Sequence, residues 1–188
     1  MNNKTWRILA CPVAFNEEGK IGAVIRRFKP GDVTEVMVVD DGSTDGTARV
    51  AKEAGASVLS HPQRQGVGAA VRTAIHYGRD HGFDILVILA GNDKDRPEEI
   101  HRLLDPITQE GYDFVHGSRH LPGGVCGNTP AYRVFATKYV HPILFSLATG
   151  RKITDSSNGY RAFRLSIFDH PEIRIDQEWL SHYDLEIY

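Results

Sequence analysis

Residues 38–47 read Val38-Val39-Asp40-Asp41-Gly42-Ser43-Thr44-Asp45-Gly46-Thr47. They close the β-branched run at 33–39, which predicts a buried strand ending in a turn rich in carboxylates. A carboxylate at a strand end can accept hydrogen bonds from a base edge or a ribose hydroxyl, and Gly42 permits a tight turn. The alternative is that Ser43 or Asp45 only caps the next helix. Taken alone, the segment leaves these two interpretations equally open.

Segments on both sides of this turn alternate between strands and amphipathic helices. Apolar residues at 83–89 predict a strand that is buried on both faces. The alternation predicts an α/β fold with a mostly parallel central sheet and helices on both faces. Ligands of such sheets bind beyond the carboxyl ends of the strands. Strands are predicted at 8–13, 33–39, 57–60, 83–89 and 112–115.

The sequence after Gly117 follows a different pattern. Residues 121–130 are rich in Gly and Pro, which predicts a loop. Residues 133–150 are expected to be helical, with a bend or break before Pro142. The sequence shows neither a linker nor an internal repeat, so residues 1–188 are interpreted as a single domain. Because the chain stops just after an alternating segment at 183–187, we expect the natural protein to continue.

Composition argues against several classes of protein. A formal net charge of -2 provides no general attraction for nucleic acid. Cys11 and Cys126 belong to no CxxC pair, so neither a disulfide nor a zinc site is expected. The protein is therefore expected in a reducing compartment, the cytoplasm. Cys11 lies in an apolar segment, where a small buried side chain is the simplest interpretation. The longest apolar-rich segment, at 134–149, contains Lys138 and does not predict a membrane span.

Two further segments lie where the sheet would present its ligands. Phe15 follows the first strand and could stack on a base, although Asn16 beside it could equally be only a helix cap. Gly66 and Gly68 at a helix start would let backbone amides approach a ligand, or would only allow tight packing of helix on sheet. A nicotinamide-binding fingerprint is not matched, because Val71 occupies its third small-residue position.

Charged residues follow the later strands. Asp93 and Asp95 lie on a loop after the strand at 83–89, and two carboxylates at that edge suit a hard divalent cation that also bridges phosphates. The alternative is a solvated loop with a helix cap. Arg119 and Arg161 carry forked donors that suit a diphosphate or an acidic acceptor, although each alone could be an ordinary surface charge.

Taken in order, the segments at 12–18, 38–47, 66–72, 117–119 and 155–163 resemble family 2 glycosyltransferases, most closely the dolichol-phosphate mannosyltransferase-like branch. The resemblance implies a nucleotide-diphosphosugar transferase fold of the GT-A type. It implies an inverting enzyme that moves a sugar from a GDP- or UDP-linked donor to an acceptor such as polyprenyl or dolichyl phosphate. It also implies Mg²⁺ or Mn²⁺ as cofactor and contact with the cytoplasmic face of a membrane. Two alternatives stay open: an enzyme that builds a glycan or glycolipid, and a nucleotide-sugar-binding module without turnover.

The resemblance also assigns roles to individual residues. Asp155 would be the catalytic residue near the reacting sugar. The metal is expected at Asp93 and Asp95, from the two carboxylates on their loop. The residues expected to bind the nucleotide sugar are Pro12, Phe15, Asn16, Glu17, Asp40, Asp41, Gly42, Ser43, Arg64, Gly66, Gly68, Asn92, Arg119 and Arg161.

The chain departs from the family pattern at two places. Relatives typically carry Asp-x-Asp directly after the fourth strand, and Ala90 and Asn92 occupy those carboxylate positions here. The metal site is therefore expected to shift to Asp93 and Asp95, to be shared by Asn92 and Asp93, or to be weakened. The family's Asn before the Gly-x-Gly segment is replaced by Arg64, and either Arg64 or Gln65 would contact phosphate or base differently.

Overall fold

A computed structural model of the chain describes residues 5–124, 130–150, 152–155 and 157–176. The predictions that concern Cys126 and the alternating segment at 183–187 fall outside these residues, as does Ser156 within the segment at 155–163. Within the described part, strands and helices alternate through the first two thirds of the chain, as the sequence predicts.

The central sheet has six strands in the order β3-β2-β1-β4-β6-β5. Strands β1 to β4 are parallel, whereas β6 lies antiparallel between β4 and β5. The predicted, mostly parallel sheet is confirmed. No strand was predicted at β6, where four residues follow a polar segment. The strands are β1 Ile8–Ala14, β2 Glu35–Asp40, β3 Ser57–Ser60, β4 Ile85–Ala90, β5 Phe114–His116 and β6 Arg161–Arg164.

Helices cover both faces of the sheet, also as predicted. Leu9 and Cys11 of β1 pack with the α3 side chains, whereas Ala10 between them packs with those of α4 on the other face. Cys11 is fully buried, and burial raises the pKa of its thiol to about 12. It is therefore a packing residue. The helices of this part of the chain are α1 Glu18–Arg26, α2 Thr47–Glu53, α3 Val67–Asp80 and α4 His101–Gln109, with 3₁₀ turns at Pro97–Glu99 and Leu165–Asp169.

Residues 131–149 form one continuous helical segment in which the backbone hydrogen-bond pattern changes part-way along. Helix α5 (Ala131–Phe135) passes into a π-helical turn at Ala136–Val140, and α6 (His141–Thr149) follows with Pro142 in its first turn. The predicted break before Pro142 is confirmed, because a proline cannot donate the backbone hydrogen bond that a regular helix needs there. Among the helices that the structure describes, none is both long and apolar enough to cross a bilayer.

The strand register brings several loops to one edge of the sheet. Strands β1 to β4 run parallel and end at Ala14, Asp40, Ser60 and Ala90. Because β6 runs the opposite way, its first residue, Arg161, pairs with Ile88 near the end of β4 and with His116 at the end of β5. The polar residues that follow these strands therefore share one edge, and a ligand site is expected there.

Candidate functional site

A cavity of about 360 Å³ opens at the carboxyl edge of the sheet. Its wall is built by the ends of β1 and β4, by the loop between β3 and α3, and by the start of β6. A larger and more open cleft of about 580 Å³ lies at the opposite edge beside Arg79 and Asp169, which form an ion pair with each other. We place the site at the carboxyl edge, because the predicted binding residues converge there. The ones that line the cavity are Phe15, Glu17, Asp41, Arg64, Asn92 and Arg161.

Hydrogen bonds join the β1 and β2 loops at one side of the cavity. Ser43 Oγ accepts from the backbone N–H of Asn16 at 2.9 Å, and Asn16 Oδ1 accepts from the N–H of Thr44 at 2.9 Å. Asp40 is buried and accepts from the N–H of Ser43 through Oδ1 at 3.1 Å. Asn16 and Ser43 therefore hold the two loops together, and neither caps a helix.

Asp41 organises the loop between β3 and α3. Its carboxylate oxygens accept from the N–H groups of Gln65 and Gly66, both at 2.8 Å, and Oδ1 also lies 2.8 Å from His61 Nδ1. Burial alone would raise the pKa of Asp41, but the donors of Gln65, His61 and Gly66 together keep it below its usual value. Thr73 Oγ1 lies 2.9 Å from the other His61 ring nitrogen. Asp41, predicted to bind the nucleotide sugar, lines the cavity, and its oxygens also hold the loop that carries Arg64.

An ion pair lies at the other side of the site, after β5. Arg119 donates to Asp155 through two nitrogens, Nε at 2.8 Å and Nη2 at 3.0 Å, and also through its backbone N–H at 3.2 Å. The Asp155 side chain is fully buried, which by itself would raise its pKa, but Arg119 and the N–H of Ser157 lower the pKa to about 2. Asp155 is therefore a permanent carboxylate that fixes Arg119, and both side chains belong to one positioned unit.

Two further groups complete this side. Arg161 is 5% exposed and lines the cavity, so its charge lies in a poorly solvated position. His116 donates its Nε2–H to the backbone oxygen of Asn158, and burial lowers the pKa of its ring. A neutral imidazole therefore sits beside the two arginines. His116 has no signal in the sequence that separates it from the other histidines.

The loop after β4 separates the two predicted metal ligands. Arg27, just past α1, binds the Asp93 carboxylate and donates to the backbone oxygen of Asp95 at 3.0 Å. Asp95 Oδ2 accepts from the N–H of Ala90 at 2.7 Å, and burial raises the pKa of this carboxyl. Asn92 lines the cavity, whereas Asp93 and Asp95 are not among its lining residues. The described residues include no cluster of three or more His, Cys, Asp or Glu side chains placed to hold a metal ion.

The side chains of this loop can provide a cation with fewer protein ligands than the sequence predicts. Mg²⁺ in enzymes often takes one or two protein oxygens and completes its shell with phosphates and water. The side chains of Asp95 and Asn92 provide that kind of ligand at the end of β4. Asp93 does not fit while Arg27 holds its carboxylate, so the predicted pairing of Asp93 with Asp95 is not what the structure brings together.

The sequence matches the family described as Glycosyl transferase family 2 over residues 11–170. The chain belongs to this family. The polyprenol monophosphomannose synthase of Mycolicibacterium smegmatis is 32% identical over 173 residues, which cover 88% of this chain and 64% of the relative. The undecaprenyl-phosphate mannosyltransferase of Micrococcus luteus is 30% identical over 164 residues, which cover 84% of this chain and 66% of the relative.

Solved structures confirm the fold of this family 2 protein. A glucosyl-3-phosphoglycerate synthase from Mycobacterium tuberculosis, in complex with Mn²⁺, UDP and glucosyl-3-phosphoglycerate, is similar with a TM-score of 0.66 and 26% identity. The alignment covers 87% of this chain and 58% of that protein. The chain thus has the GT-A type of fold that the sequence predicts. It spans between 58% and 66% of the length of these three proteins.

Several predicted binding residues are not among those that line the cavity, namely Pro12, Asn16, Asp40, Gly42, Ser43, Gly66, Gly68 and Arg119, and three of them belong to the backbone framework around it. Pro12 is buried inside β1, where it pairs with Leu89 of β4, so its ring packs in the sheet. Gly68 is buried in the first turn of α3, where close packing against the sheet explains its small size. Gly66 precedes that helix with a φ of 96°, a conformation that favours glycine, and donates to Asp41. These three residues shape the scaffold of the site.

Proposed function

We propose that this family 2 protein transfers a sugar, with inversion, from a nucleoside-diphosphate sugar to a polyprenyl phosphate. The observation that carries the proposal is the two-sided site at the carboxyl edge. One side offers an aromatic ring and carboxylates for a nucleoside, and the other offers the buried Arg161 for phosphate. Both named curated relatives act, by their names, on polyprenyl phosphates, which supports this acceptor class.

In this proposal Phe15 and Glu17 contact the nucleoside, and Arg161 contacts the diphosphate. Phe15 offers a flat apolar face at the cavity wall, and Glu17 offers a carboxylate oxygen to a hydroxyl or ring N–H. Arg161 is buried at the same wall, where low solvent exposure strengthens its attraction to phosphate. The nucleotide would therefore lie across the ends of β1 and β4.

The reaction would then need little proton transfer. An acceptor phosphate oxygen forms a bond to the anomeric carbon, and the bond from that carbon to the diphosphate oxygen breaks, so the electron pair leaves with the nucleoside diphosphate. A phosphate monoester carries between one and two negative charges at neutral pH, so it needs no general base. Negative charge grows on the departing diphosphate, and fixed guanidinium groups stabilise it. Arg119, held in place by Asp155, is suited to this role or to orienting the acceptor.

A divalent cation, Mg²⁺ or Mn²⁺, is part of the proposal. Asp95 and Asn92 would supply its protein ligands at the end of β4, and the structure of the similar synthase contains Mn²⁺ together with UDP. When bound, the cation would neutralise charge on the leaving diphosphate.

Nucleotide binding gives the direct test. We expect the melting temperature of the protein to rise with GDP or UDP plus Mn²⁺, because a ligand that binds only the folded state stabilises it. At a hundred times the dissociation constant the gain is about 2.7 kcal/mol, or roughly 5–10 °C for a chain of this size. Differential scanning fluorimetry with and without EDTA measures it. If no nucleoside diphosphate shifts the melting temperature, the proposal fails.

Turnover separates an enzyme from a binding module. Release of free nucleoside diphosphate from a sugar donor only when polyprenyl phosphate is added would support transfer to that acceptor. Release with a glycan acceptor instead would favour the glycan-building alternative, and binding without any release would indicate a module without turnover.

The helical segment at 131–149 supports an acceptor that lies in a membrane. Its large side chains are unusually exposed for a folded protein, and the most exposed are Tyr132 at 78% and Leu147 at 76%. Between 131 and 150 the chain contains Arg133 and Lys138 but no Asp or Glu. Apolar and aromatic side chains mixed with basic ones are typical of helices that lie in the interface of an anionic bilayer. We therefore propose that this segment contacts the membrane surface.

Negative charges placed on the helical segment at 131–149 should weaken its contact with the membrane surface. We expect the double substitution Ile143→Glu with Leu147→Glu to lower co-sedimentation with anionic phospholipid vesicles by about tenfold or more, since each leucine-sized group loses its transfer free energy on charging. Ile143 and Leu147 are 59% and 76% exposed, so the fold should tolerate the change. Lys52→Glu on α2 makes the same change in net charge and is the control. Equal sedimentation of the double variant and the wild type would contradict the membrane contact.

A further inference from the structure

Arg64 is a charged hydrogen-bond donor at the cavity wall that makes no hydrogen bond among the described residues. Its guanidinium carbon lies 4.5 Å from the centre of the Phe15 ring, and the side chain is exposed at the cavity wall. The contact with Phe15 leaves the guanidinium N–H groups available, because Arg64 makes no hydrogen bond among the described residues. A cationic fork is thus held beside the aromatic ring on which a base would stack.

The backbone that carries Arg64 is fixed from two directions. Asp41 accepts from the N–H groups of Gln65 and Gly66, which directly follow Arg64. Gly42 packs so closely on the backbone of Gln63 and Arg64 that a Cβ at Gly42 would lie 2.5 Å from the Arg64 nitrogen. The side chain therefore starts from a defined position at the cavity wall beside Phe15.

The chemistry of a stacked guanidinium discriminates between bases. A base that stacks on Phe15 would displace the Arg64 guanidinium from the face of the Phe15 ring. The guanidinium would then lie at the edge of the base. Guanine offers two adjacent acceptors there, O6 and N7, which match the two parallel donors of arginine. Uracil has a single carbonyl next to a C–H group on the corresponding edge and can accept only one of the two hydrogen bonds. Asp41, beside Arg64, cannot make this choice because a carboxylate has no donor for O6 or N7.

We propose that Arg64 determines the base of the donor and selects guanine over uracil. The inference rests on the proposed function, because it assumes that a nucleoside diphosphate occupies the cavity. It deepens that function by naming the base and the residue that recognises it.

Binding of three nucleotides to three proteins tests this assignment. The nucleotides are GDP, UDP and the 7-deaza analogue of GDP, which lacks the N7 acceptor, and isothermal titration calorimetry with Mn²⁺ measures each affinity. We expect the wild type to bind GDP about tenfold or more tightly than UDP, as one bidentate pair allows. Arg64→Ala should lose about that factor for GDP and change by less than about threefold for UDP. Arg102→Ala, at an exposed position of α4 outside the cavity, should behave as the wild type.

The analogue isolates the hydrogen bond from the charge. The wild type should bind 7-deaza-GDP several times more weakly than GDP, and Arg64→Ala should bind the two equally. Equal losses for GDP and UDP in Arg64→Ala would show that Arg64 contacts phosphate, and would overturn the assignment, as would tighter binding of UDP by the wild type. If the wild type binds neither GDP nor UDP, the proposed function itself has failed. Unchanged melting temperatures of the free variants show that folding is not the cause.

Discussion

Asp155→Asn is expected to lower the rate of sugar transfer by about a hundredfold or more, because a displacement of about 1 Å in a positioned group has that effect. Asparagine has the size of aspartate but no charge, and it cannot accept from both Arg119 nitrogens at once. Arg119 would then lose the partner that fixes its side chain at 2.8 and 3.0 Å. Measured kcat/KM for the donor, with kcat and KM separated, gives the result. Asp105→Asn on α4, outside the cavity, is the matched control.

A positioning role for Asp155 predicts a specific pattern of double variants. If Asp155 acts only through Arg119, Asp155→Asn together with Arg119→Ala should be no slower than Arg119→Ala alone. A carboxylate that contacted the sugar directly would instead add its own loss to that of Arg119. Such additive losses would restore Asp155 to the catalytic role that the resemblance implies.

Acid stability provides a second readout of the same carboxylate. The pKa of Asp155 falls from 3.8 to about 2 on folding, so the folded state favours the charged form. The Asp155 charge therefore contributes fully to the free energy of unfolding above about pH 4. This contribution is lost as the pH falls from about 4 to about 2, where the carboxylate becomes protonated in the folded state. Its size is about 2 kcal/mol, at 1.36 kcal/mol for each pKa unit. The free energy of unfolding of Asp155→Asn should therefore depend less steeply on pH in this range than that of the wild type.

The sequence predicts most of this sheet because β1, β2 and β4 are largely apolar runs of six or seven residues that alternate with amphipathic helices. Cys11 and Leu86 lie where a period-two pattern places them. Strand β6 escapes prediction because its four residues include Arg161 and Arg164 at the two ends, and only pairing with β4 and β5 makes it a strand. Short strands that depend on distant partners carry little signal of their own.

Predicted site residues lie at the cavity where they follow a strand directly, whereas a distant partner sets the direction of others. Phe15 and Asn92 reach the cavity because β1 and β4 end beside them. Asp93 was expected at a metal, but Arg27, 66 positions away in sequence, holds its carboxylate. The bond between Asp41 and His61 and the pair of Arg119 with Asp155 are likewise set by tertiary structure. No local pattern contains these partners.

Gly42→Ala is expected to be the most damaging change among the glycines of this site. Gly42 has a φ of 74°, where any side chain is strained, and a Cβ there would overlap the backbone of Gln63 and Arg64. Backbone atoms cannot move aside as the end of a flexible side chain can. We expect a loss of about 2–6 kcal/mol in the free energy of unfolding, from about 1–3 kcal/mol each for strain and overpacking. Urea titration measures the loss.

Gly55→Ala separates strain from contact. Gly55 also has a positive φ, 97°, but a Cβ there would meet no atom within 4 Å. That variant should lose only the conformational part, about 1 kcal/mol, and keep its nucleotide affinity. Gly42→Ala should in addition weaken nucleoside diphosphate binding by tenfold or more, about 1.4 kcal/mol, because displacement of residues 61–66 moves Arg64 from Phe15 and breaks the hydrogen bonds at Asp41. If the two variants bind nucleotide equally well, the β2 turn does not set the position of Arg64, and base recognition must come from elsewhere in the cavity.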